Sequence, residues 1–151
     1  MAVDMFLKLD GIKGESTDHK HAGEIEILSF SWGVSNPATS CRAGGGGGEG
    51  KATFQDLSFM KRADSSTANL MLACAKGEHI REGTITVRKA GEKPLEYLKI
   101  KLEDILVSSS QSGGTEGSTP VESVSLNFAR FQITTNVETS EVFQVCSAKI
   151  E

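Results

Sequence analysis

Cysteine is scarce in this chain of 151 residues, which contains three: Cys41, Cys74 and Cys146. They lie far apart, and no two of them have the Cys-x-x-Cys spacing of zinc sites and redox motifs. An odd number of widely spaced cysteines does not form a disulfide framework either. The pattern is typical of reduced thiols in a cytosol.

Basic charge and long apolar runs are also lacking. The formal net charge is −4, which argues against the clustered basic face that nucleic-acid binding needs. No apolar run approaches the length of a membrane span. In the N-terminal stretch MAVDMFLKLDG, Asp4 and Lys8 interrupt the apolar segment that a signal peptide requires. We expect no nucleic-acid partner, no membrane insertion and, for a secreted protein, export without a cleaved leader.

Residues with catalytic or metal-binding chemistry are few and unpatterned. His19 and His21 form a His-x-His pair, but no third ligand stands at a recognised spacing, so a solvated loop is the favoured interpretation. The best enzymatic grouping is His79 with Cys74, or His19 and His21 with a nearby carboxylate, and nothing places a base, a nucleophile and an oxyanion donor together. Cys74 is interpreted as a core residue of a helix. We expect no enzyme activity, metal or cofactor.

A run of glycines, Gly44–Gly48, lies within the segment Pro37–Gly50. Two phosphate-binding templates match here: Gly-x-Gly-x-x-Gly, which begins at Gly45, and Gly-x-x-x-x-Gly-Lys, which ends at Lys51. The second template needs Ser or Thr next and finds Ala52. Both need a following helix, whereas the next residues, KATFQDLSF, are typical of a strand. Nucleotide binding is therefore rejected, and the segment is interpreted as a long functional arm.

The stretch EIEILSFSWGVS at Glu24–Ser35 carries the only tryptophan and alternates with a period of two. This alternation of aromatic and branched residues predicts a β-strand. One face carries Leu28, Phe30, Trp32 and Val34, and the other carries Ile25, Ile27, Ser29 and Ser31. We expect Leu28, Phe30 and Trp32 to be buried, because burial of large apolar side chains stabilises a fold. Ser29 and Ser31 then face either water or another subunit.

The same alternation predicts the remaining strands. They lie around Val3–Leu9, Lys51–Phe59, Ile85–Val87, Leu98–Leu102, Val124–Ile133 and Val142–Ile150. In the first strand, Phe6 is expected on the outer face. One helix of about three turns is predicted between a Ser65 or Ser66 cap and Gly77. Ser108–Pro120 is predicted to be a loop.

Several of these strands change parity midway, which is typical of barrels or nearly closed sandwiches. We therefore predict a mainly β fold, an antiparallel β-barrel of about seven or eight strands with one short α-helix. Neither an internal repeat nor a linker is evident, so the chain is expected to form a single domain over residues 1–151.

The segments together resemble the haemolysin-coregulated protein (Hcp) family. The resemblance runs through MAVDMFLKLDGIKGES, EIEILSFSWGVS, GGGGGEGK, FQDLSFMKRADSSTANLMLACAKGEHI, ITVRKAGEKPLEYLKIKLEDILVSS and VSLNFARFQI. It implies a β-barrel similar to phage tail-tube proteins. It also implies the function of a type VI secretion tube subunit, which forms hexameric rings that stack head to tail.

The resemblance further implies partners, locations and sites. The expected partners are a spike protein of the valine-glycine-repeat family, a contractile sheath and small secreted effectors carried in the lumen. The protein would reside in the bacterial cytoplasm before firing and then be secreted to the medium or a target cell. Ser29 and Ser31 are candidate lumen-facing residues. The candidate inter-subunit loop comprises Pro37, Gly44, Gly45, Gly46, Gly47, Gly48 and Gly50. The alternative is a monomeric β-barrel that binds a sugar or small ligand through Trp32 and Tyr97.

Overall fold

The computed structural model describes residues 2–36, 52–91, 93–137 and 140–142. The strands are β1 (Val3–Leu9), β2 (Ile25–Ser31), β3 (Val34–Ser35), β4 (Thr53–Phe54), β5 (Leu57–Arg62), β6 (His79–Lys89), β7 (Leu95–Gly113), β8 (Val121–Val137) and β9 (Ser140–Val142). The helix α1 spans Thr67–Lys76. The candidate loop Pro37–Gly50 and most of the predicted strand Val142–Ile150 lie outside the described residues.

Six of the strands close into an antiparallel barrel. They follow one another in the order β5-β2-β1-β6-β7-β8, and a further pairing of β8 with β5 closes the circle. Strand β9 adds to β8, while β3 and β4 form a separate two-stranded sheet. The predicted fold class, a mainly β antiparallel barrel with a short helix, is confirmed.

Inward side chains of all six strands fill the barrel. The most completely buried are Leu7, Ile25, Leu57, Phe59, Ile85, Leu102, Ile105, Leu126 and Phe128. Gly83 of β6 makes room for this packing: a Cβ atom there would lie 2.7 Å from Leu9 Cδ2 and 2.8 Å from Ile105 Cδ1. Leu70 and Ala73 bring α1 onto the same core, so the helix packs against β7 and covers the barrel.

The helix begins and ends at the residues that the sequence predicts. At its start the cap is supplied by Asp64, whose Oδ1 accepts a hydrogen bond from the Ser66 backbone N–H at 2.8 Å. Thr67 Oγ1 in turn accepts from the Asp64 backbone N–H at 3.1 Å. At its end Gly77 adopts a left-handed φ of 63° and donates its N–H to the carbonyl of Cys74. A glycine takes this conformation without steric strain.

The prediction for Leu28 is wrong: its side chain is 38% exposed. The cause is a β-bulge in β2. Ile27 pairs with Lys61 and Ser29 pairs with Met60, so one extra residue of β2 lies between two successive pairs. A bulge shifts the alternation by one residue. The inward side chains are therefore Ile25 and Ile27 before the bulge and the half-buried Phe30 and Trp32 after it. The prediction that Ile25 and Ile27 lie on the opposite face is thus wrong as well.

Val34, in the short strand β3, is exposed, and another apolar side chain departs from its predicted environment. Phe6 is buried, although it was expected on the outer face. The segment between β1 and β2 folds over Phe6, and the ring of His21 stacks on it with centroids 4.6 Å apart. Alternation within one strand does not predict such a cover from a neighbouring loop.

Ser108–Gly113, predicted as part of a loop, forms the last part of β7. It pairs with the first part of β8, from Ser109 opposite Ser125 to Gly113 opposite Val121. A register shift between Val107 and Ser109 marks a second bulge. The connection to β8 is therefore only residues 114–120.

Candidate functional site

One side of the barrel is a hydroxyl-rich surface of mostly uncharged side chains, which we call the serine face. It consists of outward side chains from β2, β5, the first part of β8 and the last part of β7. They are Ser29, Ser31, Ser58, Met60, Ser108, Ser109, Gln111, Ser123, Ser125 and Asn127. The bulge in β2 brings the exposed Leu28 to the border of this face.

Side-chain hydrogen bonds join neighbouring strands across the serine face. Ser58 Oγ and Ser125 Oγ lie 3.0 Å apart between β5 and β8. At one end, Asp56 accepts from Ser108 Oγ at 2.7 Å and from Asn127 Nδ2 at 2.9 Å. These hydrogen bonds connect outward side chains of neighbouring strands. They therefore fix the positions of these side chains on the face.

The four strands of the serine face have two open lateral edges among the described residues. On one side, β1 pairs with β2 only at Ile25 and Glu26, so Leu28–Ser31 has a ladder with β5 alone. On the other side, β6 pairs with β7 only as far as Leu106, so Ser108–Gly113 has a ladder with β8 alone. We call these segments the β2 edge and the β7 edge.

A cleft of about 250 Å³ lies where β1 and β2 separate beside the β2 edge. The separation exposes Val3 and Leu28, two apolar side chains. Asp4, Glu26 and Arg62 add charged groups to the lining. Leu28 is the residue of the β2 edge that lines this cleft.

The other side of the barrel carries ionised side chains, and we call it the charged face. It consists of Arg81, Glu82, Lys99, Lys101, Glu103 and Arg130 on β6, β7 and the last part of β8. Lys101 Nζ lies 3.8 Å from carboxylate oxygens of both Glu82 and Glu103. Exposed pairs of this kind add little to stability. The distribution nevertheless gives the barrel two chemically different sides.

Asp104 is the one non-glycine residue with a positive φ, 53°, in the described part of the chain. It bends β7 beside the charged face, and His79 Nδ1 lies 2.8 Å from its Oδ1. A non-glycine residue in this conformation is strained. The inward positions shift by one residue at this point, from Ile100 and Leu102 before Asp104 to Ile105 and Val107 after it.

A buried ion cluster lies inside the barrel near the start of α1. Lys61 is fully buried, and its Nζ is 2.7 Å from Glu122 Oε2 and 3.0 Å from Asp64 Oδ1. The Glu122 contact is an ion pair at an angle outside hydrogen-bond geometry. Ser112 Oγ donates to the other oxygen of Glu122 at 3.2 Å. The cluster thus connects β5, β8 and the β7 edge.

Asp64 is held as a carboxylate in this cluster. Burial raises its pKa, but hydrogen bonds from Ser66 and Lys61 outweigh that effect, so the pKa lies below its ordinary value. The negative charge balances Lys61 and sits at the start of α1, where the helix dipole favours an anion.

The described residues contain no group of three or more His, Cys, Asp or Glu side chains able to hold a metal ion. In the same part of the chain, no helix is long and apolar enough to cross a membrane. His19 is exposed while His21 is buried. The two members of the His-x-His pair therefore lie in different environments.

Two predicted site residues, Ser29 and Ser31, are exposed on the serine face. The candidate loop residues Pro37, Gly44–Gly48 and Gly50 lie outside the described residues. Sequence reasoning missed the contribution of β5, β8 and the β7 edge. The serines of VSLNFA and LSFM, which alternate with apolar residues, are the signal that could have identified β5 and β8 as parts of the same surface.

Comparisons with known proteins define the class of the fold. The structure is similar to the crystal structure of a type VI secretion system effector from Yersinia pestis, with a TM-score of 0.80, 32% identity and coverage of 98% of this chain and 99% of that chain. It is also similar to the crystal structure of Hcp1 from Salmonella typhimurium, with a TM-score of 0.78, 34% identity and coverage of 94% and 92%. The barrel is thus that of a type VI secretion protein.

Sequence comparison identifies the family. The chain is 52% identical to Protein hcp1 of Pseudomonas aeruginosa over 135 residues. The aligned region covers 88% of this chain and 83% of the relative. The family described as "Type VI secretion system effector, Hcp" matches residues 6–135. The chain belongs to the Hcp family of type VI secretion.

Proposed function

We propose that this protein is a structural subunit of the type VI inner tube. Copies form hexameric rings, the rings stack head to tail, and the tube is expelled with small effectors in its lumen. The observation that carries the proposal is the serine face, a four-stranded sheet that has no further partner strand at either lateral edge among the described residues. Family membership supports the same function.

The two open edges supply a chemical reason to assemble. Unpaired backbone N–H and C=O groups on an edge strand are a template for another chain. The β2 edge and the β7 edge differ in sequence and lie on opposite sides of one sheet. A contact between the β2 edge of one copy and the β7 edge of the next is therefore head to tail, and such contacts close into a ring when the rotation allows it.

The two sides of the barrel suggest how a subunit is oriented in the ring. With the edges paired, the serine face is continuous from copy to copy and lines the lumen, with Ser29 and Ser31 toward the cargo. Small uncharged hydroxyls form weak hydrogen bonds, about 0.5–1.5 kcal/mol net for each bond. Such a wall holds varied effectors without fixing them. The charged face then points outward, toward the contractile sheath.

The remaining contacts lie at the ends of the tube and between rings. The arm with Pro37, Gly44–Gly48 and Gly50 reaches an adjacent subunit, because so glycine-rich a segment offers few side chains to its own barrel. The first ring meets a spike protein of the valine-glycine-repeat family. The role is structural rather than enzymatic, and the protein passes from the cytoplasm to the medium or a target cell.

The decisive test is the native mass of the purified full chain. Light scattering coupled to gel filtration should give about six times the subunit mass of 16.1 kDa, and negative-stain images should show rings with a central hole. A clean monomer at micromolar concentration would contradict the proposal. A variant without Gly44–Gly48 should remain folded by circular dichroism but form fewer rings or stacks, and if it unfolds, the arm packs within its own subunit.

A monomeric ligand-binding barrel has less support. Trp32, the best binding platform for a sugar, packs edge-on against Phe131 and Phe128 with centroids 4.8 and 5.7 Å away. Its ring is half-buried in a core cluster. Tyr97 lies near Lys89 at another part of the barrel. The two aromatic side chains therefore do not form one open platform.

A further inference from the structure

The segment between β1 and β2 is a folded strap rather than a free loop. The Ser16 backbone N–H donates to the Glu24 carbonyl at 2.9 Å, and the Gly23 N–H donates back to the Ser16 carbonyl at 2.9 Å. A Cβ atom on Gly14 would lie 2.5 Å from the Glu24 carbonyl oxygen, which shows how closely the two arms of the strap approach. We call residues 10–24 the strap.

His21 fastens the strap to the barrel. Its side chain is buried, its ring stacks on Phe6 at an interplanar angle of 9°, and Nδ1 lies 2.7 Å from Glu24 Oε2. The other nitrogen, Nε2, lies 2.6 Å from Glu96 Oε1 at the start of β7. The second contact joins residues that are 75 positions apart in the chain.

The hydrogen-bond geometry fits one protonation state of this imidazole. A neutral histidine has one N–H donor, whereas the imidazolium has two. Both His21 nitrogens face carboxylate oxygens, which accept hydrogen bonds when ionised. In the neutral form one nitrogen would present a lone pair to a carboxylate, and that contact would become repulsive.

The charged groups around His21 come from four elements. The strap supplies Glu24 and Asp18, β7 supplies Glu96 and Lys99, β6 supplies Arg88, and β1 supplies Asp4. Asp18 accepts the His21 backbone N–H at 3.3 Å and holds Arg88 through both carboxylate oxygens. The Asp18–Arg88 pair is a second anchor of the strap, and it keeps the rest of the strap in place when the His21 contact is lost.

Glu96 remains ionised over a wide range of pH. Burial raises its pKa, but the hydrogen bonds from His21 and Lys99 outweigh this effect and hold the pKa below its ordinary value. A lowered carboxylate pKa means that its contribution is present above the ordinary value and is lost only as the pH falls through the lowered value.

We propose that His21 is a proton-operated latch for the strap. With both ring nitrogens protonated, it holds the strap to the start of β7. As the pH rises and the imidazolium gives its proton to solvent, the bridge between Glu24 and Glu96 is lost and the strap opens locally around residue 21. The barrel and the Arg88 anchor remain. This inference does not depend on ring formation.

The test is amide hydrogen exchange of the full-length protein, read by NMR together with the His21 ring signals. Between about pH 5 and 9, which spans the usual range of histidine titration, the protection factors of Ser16 and Gly23 should fall about ten- to a hundred-fold, after correction for intrinsic exchange. The fall should follow the titration of the His21 ring. Protection that stays level through that titration would overturn the proposal.

Three variants separate a latch from a merely structural histidine. His21→Gln should have low protection that no longer varies with pH, while His19→Gln, an exposed control in the same strap, should behave as the wild type. Glu96→Gln removes a negative charge beside the ring and should move both the ring titration and the step in protection to lower pH. If His21→Gln does not fold, the test rests on Glu96→Gln. If the step in amide protection occurs at the same pH in that variant as in the wild type, the proposal is overturned.

Discussion

Lys61 is a buried residue whose removal is expected to cost much of the stability of the subunit. Its ammonium is completely buried and its two charged partners, Glu122 and Asp64, are mostly buried as well. Removing one partner of such a cluster leaves another charge without compensation in a medium of low polarity. Lys61 follows Leu57 and Phe59 at the inward positions of β5, where a lysine is unexpected.

We expect Lys61→Met to destabilise the subunit by about 3–5 kcal/mol, because it leaves the Glu122 carboxylate buried and unpaired. Urea denaturation followed by circular dichroism measures this. The double variant Lys61→Met with Glu122→Leu should lose less than the single variant. Lys101→Met, an exposed lysine with ion pairs of 3.8 Å, should cost at most about 1 kcal/mol. Equal losses for Lys61→Met and Lys101→Met would contradict the assigned role of the cluster.

Burial within β2 was predicted wrongly before the bulge. The predicted alternation puts Ile25 and Ile27 on the face opposite to Leu28. In the structure Ile25 and Ile27 are buried and Leu28 is exposed, because an extra residue in β2 shifts the alternation. The prediction for Phe6 is wrong for a related reason, since His21 of the segment between β1 and β2 covers it. Bulges and covering loops are tertiary features, and period-two alternation contains no information about them.

At the scale of elements, the β7 edge is the most informative departure from the sequence. Its residues, SSSQSG, have neither the apolar alternation nor the branched side chains of a strand. They are nevertheless paired with β8, whose inward residues Val124 and Leu126 are fully buried. Strand formation here is imposed by the partner strand, because β propensity depends strongly on context. The helix was predictable because its serine and glycine signals are local.

A proline scan of the β7 edge tests its proposed role in assembly. In an antiparallel ladder the N–H groups of successive residues point to alternate sides, so Ser110→Pro and Gln111→Pro remove different bonds. One variant should lose a bond to β8 and become less stable. The other should lose only an outward N–H, keep its thermal unfolding close to the wild type and lose ring mass by light scattering. If both variants fold and both retain full rings, the proposed edge pairing is contradicted.

At the scale of the whole molecule, the barrel separates two surfaces that the sequence interleaves. Serines of β5 and β8 and charges of β7 and the last part of β8 alternate along the chain with core residues, and only closure assigns them to opposite sides. The sequence predicts the fold class and the exposure of Ser29 and Ser31. It does not predict which other residues share their surface, because this follows from the pairing of β5 with β8.

The proposed lumen predicts a separation of assembly from cargo retention. Ser31→Gln should leave the ring mass unchanged, since the larger side chain projects into the channel, and should reduce the small secreted proteins that co-purify with the ring. Thr84→Gln, on the charged side of the barrel, is the matched control and should change neither quantity. Loss of the ring in Ser31→Gln would place this residue in a subunit contact instead. Co-purified proteins are compared by mass spectrometry at equal ring concentration.

The open edges have a geometrical consequence for the size of the ring. If each copy adds its four strands to those of its neighbour, every subunit is rotated relative to the previous one by the same angle. In a ring of six copies that angle is one sixth of a full circle. The backbone hydrogen bonds between two edge strands do not by themselves determine how many subunits a ring contains. In the proposed ring we expect the number of subunits to depend on the curvature of the serine face, to which the two bulges, at Leu28 and Ser108, contribute. Removing a bulge is then expected to change the circumference of the ring.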